Sequence, residues 1–396
     1  MISTEDITSA AAAIQDDLIA DRRYLHAHPE LSFHEEKTAA YISSRLSEMG
    51  VVHTRNVGGH GIVADIVGKR EGKMVALRGD MDALPIKELN QVSYASRNEG
   101  VMHACGHDVH TASLLGAARI LKERQDSLEG IVRLIFQPAE ERIPGGASLM
   151  IKDGALRNPD VQLIFGQHVY PDMEVGHVGF RPGMYMASAD ELYITIKGKG
   201  GHAGLPHKSI DAILIASQVV VSIQQLVSRR ANAATPTVVS IGKFLGNGAT
   251  NVLPNEVKLE GTIRTMNEKW RFELHDLLKC LINGISKSMG GSAEIEIRRG
   301  YPALINNERL AYWAKEKAVE LLGEDKVHDL DLRMTAEDFS YFAQEIPACF
   351  YRLGTSNANR NIGAPLHTPH FDVDEDSLVT GSSLMATLAI KSLEEF

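Results

Sequence analysis

Ligand-type side chains gather at four places in the chain. They are Arg78-Gly79-Asp80-Met81-Asp82, His103-Ala104-Cys105-Gly106-His107-Asp108-Val109-His110, Gln137-Pro138-Ala139-Glu140-Glu141, and Gln167-His168. Thiolate, imidazole and carboxylate are the usual ligands of zinc and its neighbours. Cys105 and His107 stand two apart, close enough to grip one centre from a turn. Three of the clusters directly follow apolar runs that read as strands ending at Leu77, Phe136 and Phe165, and the cluster around Cys105 opens a helix. Sites in open α/β sheets form outside the carboxyl ends of the strands, so the four clusters are expected to converge. The chemistry such a set can do is metal-assisted hydrolysis.

Glu140 and Glu141 add a separate element. Adjacent carboxylates after a strand end point to different sides. One can bind metal while the other, beside an activated water, acts as general base. The plainer reading is a solvated acidic pair at a helix start. His110 is expected to pack at the start of its helix rather than to ligate. Asp82 and Asp108 are the candidates for holding a histidine N–H from behind. His26 and His28 read as structural or pocket-lining.

The elements that must position these residues follow from apolar spacing. Glu5 to Tyr24 reads as a helix, as does Glu36 to Met49, which Gly50 stops. Strands at Ile62–Val67, Met74–Leu77, Ile131–Phe136 and Val161–Phe165 alternate with helices at Thr111–Leu121 and Ala147–Ile151. That alternation predicts an α/β fold, a mixed but largely parallel sheet flanked by helices. After Gly183 the order becomes β-α-β-β-α-β: Glu191–Lys197, Ile210–Val227, Thr237–Phe244, Val257–Arg264, Trp270–Ser288 and Ala293–Arg298. This is the ferredoxin-like pattern, a complete small α+β domain. The expected organisation is a catalytic domain in two parts, 1–185 and 300–396, interrupted by an inserted domain over 186–299. A final helix spans Glu375 to Leu393.

Composition narrows the partners. The 396 residues carry 41 basic and 51 acidic side chains, a net charge of -10. An acidic chain with no basic run repels phosphate backbones and anionic lipid, so neither nucleic acid nor membrane is an expected partner. No apolar run reads as long enough to span a bilayer, and the acidic N-terminus does not resemble a signal peptide. Cys105, Cys280 and Cys349 are too few and too scattered for a disulfide framework, which fits a reducing cytoplasm.

Six motifs together carry a family resemblance. They are His-Ala-His-Pro-Glu at 26–30, Gly-Asp-Met-Asp-Ala-Leu-Pro at 79–85, Met-His-Ala-Cys-Gly-His-Asp-Val-His-Thr at 102–111, Phe-Gln-Pro-Ala-Glu-Glu at 136–141, Gly-Lys-Gly-Gly-His-Ala-Gly-Leu-Pro-His at 198–207 and Met-Thr-Ala-Glu-Asp-Phe at 334–339. With them the chain resembles the metallopeptidase-like amidohydrolases of the aminoacylase and carboxypeptidase G superfamily. The subgroup it looks most like comprises hippurate hydrolases, N-acetyldiaminopimelate deacetylases and plant auxin-conjugate hydrolases. The resemblance covers nearly the whole chain and implies a zinc-exopeptidase-like fold with an inserted lid or dimerisation domain.

The same resemblance implies roles. Cys105, His107, Glu141, His168 and His367 look like metal ligands for one or two divalent ions, whether zinc, manganese, cobalt or nickel. His367 rests on the resemblance almost alone, since His-Thr-Pro-His at 367–370 is only a weak signal by itself. Glu140 looks like the general base, and His202, in a Gly-rich turn, like the group that polarises the scissile carbonyl. Asn251 and Arg264 resemble the groups that bind the substrate carboxylate, a task that suits a guanidinium. Where most of the superfamily has His-x-Asp, this chain has Asp80-Met81-Asp82, and Cys-Gly-His stands in place of a bridging Asp. This leaves open whether Cys105 serves one metal or bridges two. The implied activity is hydrolysis of the amide bond of a small N-acyl amino acid (acetyl, benzoyl or similar) by a homodimer or higher oligomer. The rival readings are a metallo-exopeptidase acting on short peptides and a catalytically silent binding homologue.

Overall fold

The computed structural model describes residues 2–396. The chain divides into two compact units. The first holds the stretch up to Gly183 with Ile305–Asp331 and Asp338–Phe396, and the second holds Met184–Leu304 with Leu332–Glu337.

The first unit is built on an eight-stranded sheet. Its order is Val52–Val57, Gly61–Val67, Glu129–Gln137, Arg70–Asp80, Leu163–Glu174, Ala348–Ser356, Val178–Phe180 and Val327–Asp329. The four strands from Glu129–Gln137 to Ala348–Ser356 run parallel to one another, with Gly61–Val67 joined antiparallel on one side and Val178–Phe180 antiparallel on the other. Parallel strands covered on both faces read as unbroken apolar runs. Accordingly Met74 to Asp80 and Val132 to Gln137 are buried at every position. The helix His107–Glu123 is almost wholly buried, as is Ser377–Glu395. A Cβ on Gly116 would stand 2.3 Å from Ser382 Oγ and 2.5 Å from Leu18 Cδ2, so the close approach of these helices requires glycine there.

Two expectations change here. The N-terminal helix is two, Thr4–Ala13 and Gln15–Ala27, broken at Ile14 (φ -107°, ψ 13°) without a glycine or proline to mark it. The strand expected to end at Phe165 runs on to Glu174, because Ala348–Ser356 pairs with it as far as Tyr170 and again at Glu174, His168 opposite Arg352.

In the second unit the four strands lie in the order Thr237–Leu245, Glu256–Thr265, Asp190–Lys197, Ser292–Arg299, all antiparallel, which is the ferredoxin-like arrangement. Helices Ala212–Gln225 and Glu268–Ser288 pack on it through Ile215, Val219, Ile223, Leu274, Leu278 and Ile282. Asp190, 1% exposed, anchors the unit. It accepts from Arg271 Nε at 2.9 Å, His275 Nε2 at 2.7 Å and the Gly300 N–H at 3.1 Å. A π-helical turn extends the first of these helices to Arg230. Ala212–Arg230 is thereby long and apolar enough, by length and composition, to cross a membrane, contrary to the expectation from sequence. Its buried residues belong to the core of this unit.

Candidate metal centre

The ligand-type residues of the first unit meet beyond the ends of its central strands. Asp80 ends Arg70–Asp80, and Gln137 ends the neighbouring strand just before Pro138–Glu141. Pairing of Arg70–Asp80 with Leu163–Glu174 reaches Arg78 opposite Gly166, so His168 extends to the level of Asp80. The cluster at 103–110 enters from the start of helix His107–Glu123. Gly106 caps that helix at φ 80°, and a Cβ there would lie 2.5 Å from Val169 Cγ2. Only glycine fits this left-handed, crowded position, which turns Cys105 and His107 toward one point.

The convergence is tight. Ligand atoms of Cys105, His107 and His168 lie within 4.8 Å of one another, and so do those of Cys105, Glu141 and His367, and those of His107, Glu140 and Glu141. His168 Nε2 is 3.4 Å and His367 Nε2 3.3 Å from Cys105 Sγ, and His367 Nε2 is 3.2 Å from Glu141 Oε1. Cys105, His107, His168 and Glu140 are buried, Glu141 is partly buried, and the His367 side chain is half exposed.

Hydrogen bonds behind the cluster decide which ring nitrogen each histidine offers. His168 Nδ1 is 2.8 Å from the Val169 carbonyl oxygen, so it carries the proton and Nε2 presents a lone pair. His107 Nδ1 is held by Asp82 Oδ1 at 3.1 Å, and its buried Nε2 has no hydrogen-bond partner among the described residues. His110 differs. Its Nδ1 is 2.5 Å from Asp80 Oδ1, and its Nε2 accepts the Val169 N–H at 2.9 Å. With both nitrogens engaged it has none left for a metal. Asp108 receives Arg22 Nε and His26 Nδ1, each at 2.8 Å, so it braces His26.

The electrostatics match a cation site. Burial first, then Glu141, Glu140 and Asp80, hold the Cys105 thiol well above its usual range. Burial pulls His107 down, but Asp80, Asp82 and Glu141 outweigh it and raise its pKa to about 10. Burial, reinforced by Arg352, keeps His168 well below the usual range and neutral. A thiol kept protonated by burial and by surrounding carboxylates, with unpartnered imidazole nitrogen beside it, is what a divalent cation reverses. The donor set therefore fits divalent metal.

Beside Glu141 opens a cavity of about 290 Å³, walled by Leu31, Ala83, Leu84 and Pro85, with Glu141 and Arg142 on its polar side. Two residues that sequence reasoning passed over support the acids. Ser32 Oγ donates to Asp82 Oδ2 at 2.6 Å, and buried Glu35 accepts the Ala139 N–H at 2.8 Å. His367 is placed by its backbone, whose N–H donates to the Ala104 carbonyl at 2.8 Å in the strained conformation φ 59°.

The second unit holds the remaining candidates. His202 lies on the short strand Gly201–His202, opposite Val252. The Ala203 N–H donates to the Asn251 carbonyl at 3.0 Å, so the chain at His202 adjoins Asn251, and both residues are exposed. Arg264 lies on Glu256–Thr265, half-buried, opposite Val238. Burial lowers its pKa, and no ion pair holds its guanidinium among the described residues.

Comparison with known proteins agrees with this picture. Residues 76–391 match the model of peptidase family M20/M25/M40. An N-acyl-L-amino acid amidohydrolase from Geobacillus stearothermophilus is 43% identical over 305 residues, 77% of this chain and 82% of that protein. An N-acetyl-L-cysteine deacetylase from Bacillus subtilis is 39% identical over 383 residues, 97% of this chain and 90% of that protein. The crystal structure of a dinuclear metal-binding M20 peptidase from Bacillus subtilis superposes with a TM-score of 0.83 at 35% identity, covering 97% of this chain and 100% of that one. The chain belongs to peptidase family M20/M25/M40 and is a hydrolase of amide bonds.

Proposed function

We propose that the protein hydrolyses N-acyl amino acids, with Cys105, His107, Glu141, His168 and His367 holding two divalent ions. The observation that carries this reading is the sharing of Cys105 between two ligand groups, one with His107 and His168 and one with Glu141 and His367, while Glu140 stands beside them. When bound, such ions polarise the scissile carbonyl and lower the pKa of a water. Glu140 takes the proton from that water and delivers it to the leaving amine. The cavity beside Glu141 receives one end of the substrate. His202 donates to the carbonyl oxygen as charge develops there, and Asn251 and Arg264 hold the free carboxylate of the amino acid. Zinc, manganese, cobalt and nickel all suit this mixed donor set. The likeness of named relatives to N-acyl and N-acetyl amino acid hydrolases supports the substrate class. We further propose a homodimer formed through the second unit, and a reducing cytoplasm as the compartment of its free Cys105, Cys280 and Cys349.

A panel of N-acetyl and N-benzoyl amino acids, run beside the matching unblocked dipeptides on metal-reconstituted protein, tests the substrate class. Faster turnover of the acylated compounds supports it, and preference for free dipeptides overturns it in favour of a peptidase. His202→Ala is expected to lower kcat without releasing metal; an unchanged kcat removes His202 from the reaction.

A further inference from the structure

Glu35 is 0% exposed and is the N-cap residue of helix Glu36–Glu48, but its side chain makes no capping hydrogen bond to that helix. Its Oε1 accepts two backbone N–H groups, Phe33 at 3.0 Å and Ala139 at 2.8 Å. Both donors are non-glycine residues in the left-handed region, Phe33 at φ 70° and Ala139 at φ 51°. An L-residue there costs roughly 1–2 kcal/mol and persists only where its surroundings enforce it.

Ala139 is the residue from which the acid pair departs. Its carbonyl accepts the Gly146 N–H at 3.0 Å, and two residues on, the Glu141 N–H donates to Asp82 Oδ2 at 3.0 Å. Asp82 Oδ2 is in turn held by Ser32 Oγ at 2.6 Å. One short segment, Ser32–Glu35, thus pins the 138–141 turn from both sides, Ser32 through Asp82 and Glu35 directly. Returning Ala139 to the right-handed region would rotate the peptide that follows and turn both carboxylates away from Cys105 and His107.

We infer that Glu35 is a positioning residue, which holds Ala139 left-handed so that the Glu140 and Glu141 carboxylates both reach the ligand cluster at His107. Burial, with Asp82 adding to it, raises the Glu35 pKa to about 7, so an acceptor oxygen rather than a full charge suffices for the task. The inference rests on the reading of Glu140 and Glu141 given above, and its test therefore includes a readout that needs no substrate.

The test compares Glu35→Ala, Glu35→Gln and the double variant Glu35→Ala with Ala139→Gly. Each is measured by kcat and KM on an N-acetyl amino acid and by the visible spectrum of the cobalt(II)-loaded protein. Loss of a group that orients the site costs on the order of 10–100-fold. Glu35→Ala is expected to lose that much in kcat with KM little changed, and to shift the cobalt spectrum. Glutamine keeps an oxygen for the two N–H groups, so Glu35→Gln should stay within about threefold of wild type in kcat, with an unshifted spectrum. Glycine adopts positive φ without strain, so the double variant should recover a large part of the loss. An unshifted cobalt spectrum in Glu35→Ala overturns the inference, as does an equal loss in Glu35→Gln or the absence of any rescue by Ala139→Gly. If no protein, wild type included, hydrolyses the substrate, the functional reading fails while the cobalt spectra still decide the role of Glu35.

Discussion

Replacing Asp82 by asparagine is a change of one atom that should act through a proton. Asp82 is 1% exposed and makes three hydrogen bonds. Its Oδ2 accepts from Ser32 Oγ at 2.6 Å and from the Glu141 N–H at 3.0 Å, and its Oδ1 lies 3.1 Å from His107 Nδ1. The Glu141 N–H cannot turn into an acceptor, so the amide introduced by Asp82→Asn must keep its oxygen there and direct its NH2 toward His107. That NH2 donates, and His107 Nδ1 must then accept, which moves the imidazole proton to Nε2. Nε2 is the buried nitrogen without a hydrogen-bond partner among the described residues, the one left for metal. His107, with its pKa raised to about 10, gives up an Nε2 proton to metal in the wild type as well, but there the ring keeps its Nδ1 proton on Asp82, whereas in the variant that proton would face the amide NH2. Loss of such an outer partner typically weakens metal by about 10–100-fold, or ~1.4–2.8 kcal/mol. The assay is competition for metal against a chelator of known affinity at fixed pH, with thermal unfolding of the metal-free proteins as control. The fold should survive, because the side chain keeps its shape and two of its three bonds. An affinity within twofold of wild type would refute the assignment of His107 as a ligand through Nε2.

Two further outcomes follow from named geometry. Gly106→Ala places a methyl group 2.5 Å from Val169 Cγ2 at φ 80°, so it should cost about 1–2 kcal/mol for the conformation alone and more for the crowding. A lower unfolding temperature together with weakened metal binding checks it, and unchanged metal affinity would show that the turn does not set Cys105 and His107. Asp190→Asn should be felt in pH dependence. Burial would raise the Asp190 pKa, but hydrogen bonds from Arg271 and His275 outweigh it and lower the value to about 2. A depressed carboxyl contributes stability above its unfolded value of 3.8, and the contribution is lost as pH falls through about 2. The stability gap between wild type and Asp190→Asn, measured by denaturant unfolding, should therefore narrow from pH 5 to pH 2; a constant gap contradicts the ion-pair account.

Much of this arrangement is legible in the sequence, for reasons that differ by element. Met74–Leu77 and Ile131–Phe136 show as apolar runs because their strands are covered on both faces. The second unit shows as an ordered β-α-β-β-α-β series because its strands alternate in and out, as Asp190–Lys197 does. Val52–Val57 carries no such pattern, being an edge strand whose residues are all at least partly exposed. The break at Ile14 carries no glycine or proline signal. His168 looks like a loop residue after Gly166-Gln167, although pairing with Ala348–Ser356 keeps it within a strand. Cys105, His107, Glu141 and His168 announce themselves by side-chain type and by position near strand ends. His367 does not, since a single backbone bond to Ala104 brings it in from a distant loop. Glu35 is hidden differently. It sits in His34-Glu35-Glu36-Lys37, a charged run that reads as solvated, and only the fold shows that it is fully buried.

Hydrolysis of an N-acetyl amino acid by metal-loaded wild type and metal-loaded Glu140→Gln, with metal content determined on the same samples, tests the central claim most directly. Equal metal content with turnover reduced by about 10²–10⁴-fold in the glutamine variant is the expected result, since general-base catalysis contributes on that scale. Near wild-type turnover in Glu140→Gln, at equal metal content, would contradict it.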